Sequence, residues 1–329
     1  MKKHIAVVMG GTTSEHAISI KSGQVVIDSI PRDIFDVKPV IISTKNWTVK
    51  HMGNTLELDQ SDFSYTYDGK RYVFDAVFIA VHGAPGENGE LQKILDKSNV
   101  PYTGCSAEVS ELTYNKYKTL EKLRSHNIAM AKNIIINATS DWNSQSIATS
   151  IGLPCFVKAN KAGSSFGVVK VNKLEEMSEA ISTALAEDDE VLIEGYLSGT
   201  EVSIGVIEYL GEVRVLAPTE IVTHGDFFDY AAKYEGNSEE ITPARLSPKQ
   251  LQNLNTAAKK VFNLLGVRGF SRSDFIFIGD TPHFLELNSI PGLTAQSLLP
   301  MQAQHAGIGL GDLILDMINS CLKNNTIEI

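Results

Sequence analysis

The 329-residue sequence predicts an α/β fold on three observations. Short apolar runs of strand length alternate with amphipathic helical stretches. Two glycine-rich turns follow strand C-termini, where open α/β sheets place their ligands. The length suits two or three domains whose cores need no disulfide or metal support. Composition then narrows function. With 29 Lys+Arg against 39 Asp+Glu, a net charge of −10, nucleic acid is excluded as the main partner. Cys105, Cys155 and Cys321 are scattered and form no CxxC, so neither a disulfide framework nor a zinc site is indicated. The longest apolar runs, Ile5 to Met9 and Ala76 to Val81, fall far short of the roughly 20 residues of a membrane span. The first follows Lys2 and Lys3 but is shorter than a signal-peptide core. A cytoplasmic protein without a membrane partner is expected.

Ile5 to Met9 reads as a buried strand closed by Gly10-Gly11. Ser14 then offers an N-cap for a helix burying Ile18, Val25, Val26 and Ile30. Val37 to Ile42 and Val73 to Val81 are further strands, the second running into His82-Gly83-Ala84-Pro85-Gly86-Glu87-Asn88-Gly89 and a helix from about Glu90. A second unit opens near Ser106 with one long helix, Ala107 to His126. It continues with the strand Pro154 to Lys158, a Gly/Ser loop from Ala162 to Gly167, the strand Val168 to Val171, a helix from Leu174 to Ala186 and the strand Val191 to Glu194. A third, strand-rich unit holds Val202 to Tyr209, Val213 to Ala217, Phe270 to Ile278 and His283 to Leu287, with helices Pro248 to Leu265 and Leu310 to Leu322. The expected division is 1–105, 106–197 and 198–329.

The two strands around Gly279-Asp280-Thr281-Pro282 carry the most informative chemistry. Side chains alternate along a strand, so Arg272 and Asp274 share a face, as do Glu286 and Asn288, with Phe275, Phe277, Leu285 and Leu287 opposite. A hairpin loop of three or five residues sets Asp274 across from Glu286 and brings all four polar groups together. A loop of two or four residues splits them. Two carboxylates and an amide form a hard oxygen site suited to Mg²⁺ beside phosphate oxygens; the competing reading is a solvated sheet face. No P-loop and no GxGxxG after a strand are present, so a nucleotide needs another holder. Lys158 at a strand end with Gly163-Ser164-Ser165 offers a cation plus backbone N–H groups, though such a loop is commonly a simple connection. Lys116 can add a second cation, unless it is an ordinary solvated helical lysine. The crossing Glu194 to Glu201 can present backbone groups to an adenine edge and a carboxylate to a ribose.

In this order these segments resemble the ATP-grasp ligases, and among them the D-alanine–D-alanine ligase family, over essentially the whole chain. The motifs are Gly10 to His16, His82-Gly83 with Gly86 to Gly89, Lys158 with Gly163 to Ser165, Lys233-Tyr234, Arg272-Ser273-Asp274 and Glu286 to Gly292. The resemblance implies three domains: an N-terminal open parallel α/β domain, with ATP held between the sheets of the central and C-terminal domains. It also implies ligation of two D-alanine molecules through an acyl phosphate, for peptidoglycan precursors. Asp274, Glu286 and Asn288 would hold two Mg²⁺ ions, with Mn²⁺ as a substitute. Lys116, Lys158 and Lys233 would contact phosphates; Glu194, Glu201 and the backbone of Tyr196 and Leu197 would contact the nucleoside. Arg272 and the Gly292 N–H would stabilise the tetrahedral oxyanion.

The same matching gives the substrate contacts. Glu15, with His82 nearby, would receive the first ammonium, and Ser164 and Tyr234 would orient Glu15. A helix-capping role is the simpler alternative for Glu15. Ser297 and the Leu298 N–H would take the second carboxylate at a helix start. Residues 224–243 would form a lid, and a homodimer is expected. Tyr234 argues against a D-alanyl-D-lactate ligase, which with other ATP-grasp carboxylate–amine ligases is the nearest rival. A non-catalytic binding protein would not need the full ligand set, and a metal hydrolase would need a histidine pair at ligand spacing such as HExxH. Asn88, Gly195 and Ser289 depart from the family pattern. Gly195 supplies no side chain at the adenine contact.

Overall fold

The computed structural model describes residues 2–139, 141–163, 167–223 and 238–324. The chain opens with β1 (Lys3–Gly10), α1 (His16–Ser29), β2 (Phe35–Ile42), β3 (Trp47–His51) and β4 (Asn54–Glu57). It goes on through β5 (Tyr65–Tyr67), β6 (Lys70–Tyr72), β7 (Ala76–Ile79) and α2 (Glu90–Lys97). The first sheet has the order β4-β3-β2-β1-β7. β2, β1 and β7 run parallel, whereas β3 and β4 add an antiparallel edge, so the expected parallel sheet is parallel only at its centre. Ile5, Val7, Phe78 and Ala80 face one core, and Ala6, Val8, Val77 and Ile79 another. Burial on both faces explains why these strands read as continuous apolar runs. Ser14 is not the helix cap: Glu15 occupies that position and makes no side-chain cap bond. The buried face of α1 is Ser19, Ser22, Gly23, Val26 and Ile27, whereas Ile18 reaches a cavity wall.

Next come α3 (Ala107–Tyr114), α4 (Lys116–Arg124), β8 (Asn133–Asn137), α5 (Ser144–Ile151), β9 (Cys155–Ala159), β10 (Val169–Val171), α6 (Met177–Leu185) and β11 (Glu190–Gly195). The long helix expected from Ala107 to His126 is two helices. Asn115 takes an extended conformation (φ −87°, ψ 99°), and its Oδ1 accepts from the Lys118 N–H at 2.9 Å and from Asn160 Nδ2 at 3.0 Å. An asparagine hydrogen-bonding the backbone competes with helix continuation and starts a new helix instead. This break places Lys116 at the first position of α4. Strands β10-β9-β11-β8 form an antiparallel sheet covered by α5 and α6.

The remainder is β12 (Thr200–Tyr209), β13 (Glu212–Val215), β14 (Thr219–Thr223), β15 (Ser238–Ile241), α7 (Pro248–Leu265), β16 (Phe270–Ile278), β17 (Thr281–Asn288), α8 (Leu298–His305) and α9 (Leu310–Asn324). The third sheet runs β15-β14-β12-β16-β17, with β13 also on β12. The bounds of α7 match the sequence reading because its signals are complete. Ser247 caps in a capping box with Gln250, Pro248 opens the helix and Gly266 closes it in the left-handed region. Leu254, Ala258, Val261, Phe262 and Leu265 of α7 pack under the third sheet together with Leu120 and Leu123 of α4. Residues 107–124 thus share a core with the third sheet, into which Leu192 of β11 and Ile135 of β8 also pack. A separate core joins β1, β7 and α1 to Phe270, Leu299 and Leu313, so the first and third sheets are bound through α8 and α9. Among the described residues no helix is long and apolar enough to cross a membrane.

Candidate active site

The hairpin β16–β17 corrects the sequence reasoning in an instructive way. Ile278 pairs with Thr281, so the loop is only Gly279-Asp280, a length expected to separate the polar groups. Phe275 pairs with Phe284, yet Asp274 pairs with Glu286 and Arg272 with Asn288. Leu285 is an extra residue, a β-bulge that restores the alternation. Arg272, Asp274, Glu286 and Asn288 therefore face one cavity, while Phe275, Phe277, Phe284 and Leu287 remain in the core. Leu285, expected on the core face, lines the cavity instead.

The cavity holds about 790 Å³ and lies between the second and third sheets, reaching to the first. On its floor Arg272 grips Asp274 with two bonds, Nε to Oδ1 at 3.1 Å and a terminal nitrogen to Oδ2 at 2.9 Å. Ser203 Oγ donates to the same carboxylate at 2.6 Å. The Asn288 amide oxygen accepts from the Ile290 N–H at 3.1 Å. From the opposite side come Lys116 and Lys158. Lys116 Nζ lies 3.9 Å from Glu286 Oε2, and Lys158 is ion-paired with Glu194. Burial pulls the Lys116 pKa below the ordinary lysine range, against the attraction of Glu286. Burial also opposes the charge of Lys158, but Glu194 and Glu286 outweigh it and the net shift is upward. Both cations are held in a low-dielectric wall. Tyr196, Leu197 and Glu201 line the same cavity beyond them.

At the other end Glu15 reaches in from the start of α1. A Cβ added to Gly163 would lie 2.5 Å from its Oε2, so its carboxylate rests against the second-sheet loop. His82 lines the wall, but protein partners take both ring nitrogens: Nδ1 lies 2.8 Å from the Ile290 carbonyl and Nε2 2.8 Å from Ser22 Oγ. Its ring is a wall element, and burial holds its pKa down. Ser297 is the N-cap of α8 and Leu298 its first residue; Ser297 Oγ sits 2.9 Å from Thr294 Oγ1, and Gly292 is adjacent. Ser164, Lys233 and Tyr234 lie outside the described residues, as do positions 224–237 of the expected lid.

Sequence reasoning passed over Glu87 as a site residue. It is buried in the cavity wall, its Oε2 accepts from the Gly83 N–H at 2.8 Å, and burial pushes its pKa up to about 8, with the Glu15 charge adding to it. The signal was there: an acid inside a glycine turn that ends a fully buried strand. The tightest carboxylate trio among the described residues, Asp188, Asp189 and Glu190, is elsewhere and is closed by Lys161 at 3.1–3.3 Å.

A cavity between two antiparallel sheets, with paired lysines on one side and an oxygen-donor set with an arginine on the other, defines an ATP-grasp enzyme. The profile of the D-ala D-ala ligase N-terminus matches residues 4–105, and that of the D-ala D-ala ligase C-terminus residues 123–319. D-alanine–D-alanine ligase of Flavobacterium psychrophilum is 44% identical over 98% of this chain and 99% of its own. The D-alanyl-alanine synthetase A structure from Vibrio cholerae superposes with a TM-score of 0.89 at 27% identity, covering 98% and 99% of the two chains. D-alanine–D-alanine ligase from Bacillus anthracis complexed with ATP gives 0.80 at 26% identity, with both chains covered in full. The chain belongs to the D-alanine–D-alanine ligase family.

Proposed function

We propose that this chain joins two D-alanine molecules into D-alanyl-D-alanine, converting ATP to ADP and phosphate. The observation that carries the reading is the convergence of Arg272, Asp274, Glu286 and Asn288 opposite Lys116 and Lys158 in one cavity. A carboxylate is a poor acyl donor, so the γ-phosphoryl group of ATP is first transferred to the carboxyl of one D-alanine. The amine of the second then attacks the acyl carbon, loses a proton, and the tetrahedral intermediate expels phosphate. Positioning and charge stabilisation supply the catalysis, as in phosphoryl transfers generally.

In this reading Lys116 and Lys158 contact ATP phosphates, while the Tyr196–Leu197 backbone, Glu194 and Glu201 hold the nucleoside. Glu15 holds the donor ammonium, with the His82 ring as its wall. Arg272 and the Gly292 N–H face the oxyanion, and the start of α8, with Ser297 and the Leu298 N–H, seats the acceptor carboxylate. Ser164, Lys233 and Tyr234 complete the set by resemblance. The donor set of Asp274, Glu286 and Asn288 fits Mg²⁺: all three offer oxygen, two are anionic, and no histidine or cysteine competes. When bound there, Mg²⁺ neutralises charge on the polyphosphate. Arg272 pairs with Asp274 and Lys116 with Glu286, which helps to keep the floor assembled.

The test is release of ADP and phosphate from ATP and Mg²⁺ on adding D-alanine, with L-alanine as control. Release with the D isomer alone is expected, and equal release with L-alanine overturns the substrate. D-lactate and D-serine as competing acceptors test acceptor choice.

A further inference from the structure

Gln302 is 0% exposed, one turn into α8, the helix whose start faces the cavity. Its surroundings are unusual for a helical glutamine. β12 pairs with β14 as far as Ser203 and with β13 only from Val206. In the gap between them, the Ser203 carbonyl and the Gly205 N–H point at the same edge with no strand opposite. The Gln302 amide fills this gap. Its Oε1 accepts from the Gly205 N–H at 2.7 Å, and its Nε2 donates to the Ser203 carbonyl at 2.9 Å and to Thr219 Oγ1 at 3.0 Å. A side-chain amide thus stands in for a missing peptide in the ladder, leaving neither backbone group unpaired. The helix must come very close for this. A Cβ on Gly205 would meet Leu299 Cδ1 at 2.7 Å and Gln302 Oε1 at 2.8 Å, so a larger residue here would have to displace the ends of the α8 side chains.

The link reaches functional groups on both sides. Ser203, whose carbonyl Gln302 holds, donates its hydroxyl to Asp274 at 2.6 Å, and Gly205 pairs with Arg272 across the sheet. Thr219 also contacts Thr242 Oγ1 at 2.6 Å, fixing the base of the β14–β15 ribbon. We propose that Gln302 is a positioning residue for the acceptor amino acid. It locks the height of α8, and so of Ser297 and the Leu298 N–H, against the strand that carries Arg272 and Asp274. The inference rests on the ligase reading above, in which the α8 start seats the acceptor carboxylate.

The ligase reading has one D-alanine at a donor site and another at an acceptor site, and the readout is the KM fitted separately for each. Gln302→Met keeps the volume and removes all three bonds. The acceptor KM rises about tenfold, the loss of roughly one net hydrogen bond's worth of placement, while donor and ATP KM stay within twofold. Thr219→Val removes one of the three bonds with little change in shape; it raises the acceptor KM by a smaller factor, and Thr219→Ser restores it. If Gln302→Met only lowers the melting temperature and leaves both KM values unchanged, or raises them equally, the positioning role is overturned. If Gln302→Met does not fold, an unchanged acceptor KM in Thr219→Val overturns it. A wild-type chain that releases no ADP with D-alanine overturns the ligase reading instead, so the two failures are distinct.

Discussion

Replacing Arg272 by Met tests the centre of the site in two independent ways. The guanidinium makes both bonds of a fork–fork pair with Asp274, and the two side chains are only 17% and 14% exposed. Removing one partner of a buried pair costs about 3–5 kcal/mol because the other charge is left uncompensated. Here Ser203 Oγ still donates to the carboxylate and some solvent access remains, which brings the expected loss to about 2–3 kcal/mol. At about 2.1 cal/mol/K of unfolding entropy per residue, a 329-residue chain loses roughly 1.5 °C per kcal/mol. The melting temperature without divalent metal should therefore fall by about 3–5 °C. Added Mg²⁺ should raise it more in the variant than in the wild type, because Asp274 then has no competing cation. Turnover, followed by ADP release, should fall by at least about 10²–10³-fold through loss of the oxyanion donor. Turnover within threefold of wild type would refute the oxyanion role. An unchanged metal-free melting temperature would refute the charge-balance argument.

Deleting Leu285 removes the bulge but sets Glu286 directly after core-facing Phe284, so Glu286 stays across from Asp274 and Asn288 across from Arg272; Mg²⁺-dependent turnover should persist in this variant and in Leu285→Ala, and its complete loss on deletion would rule out the register argument. Gly163→Ala should fold, because the Cβ meets the mobile end of Glu15, but the displaced carboxylate should raise the donor KM about 10- to 100-fold in steady-state assays. Glu87 has a folded pKa raised from 4.5 to about 8, so the folded chain holds a proton there that the unfolded chain has released. Its contribution to stability is fully present below about pH 4.5 and is lost as pH rises through 8. Urea titrations should show Glu87→Gln abolishing a few kcal/mol of that decline; identical pH profiles for variant and wild type would rule it out.

Motifs with strong local causes were legible in the sequence. The cap, proline and glycine of α7 state its bounds, and Ile5 to Met9 and Val73 to Val81 read as buried strands, the second shortened to Ala76–Ile79 in the structure. Alternation in Arg272-x-Asp274 and Glu286-x-Asn288 already put each pair on one face. What the strands could not reveal was whether the two faces coincide. That depended on the Leu285 bulge, a cross-strand event with no local signature. The helix break at Asn115 was missed for a related reason: Asn115 leaves the helix because Asn160, 45 residues on, offers it a partner. Likewise nothing local in the sequence indicates that Ser22 and Ile290 take both nitrogens of His82, or that the Gln302 side chain bonds to β12. Residue type and spacing determine which groups a local element can present, because propensity and alternation act over a few residues. Which of those groups meet, and which are consumed by partners tens to hundreds of residues away, is decided only when packing brings the sheets together.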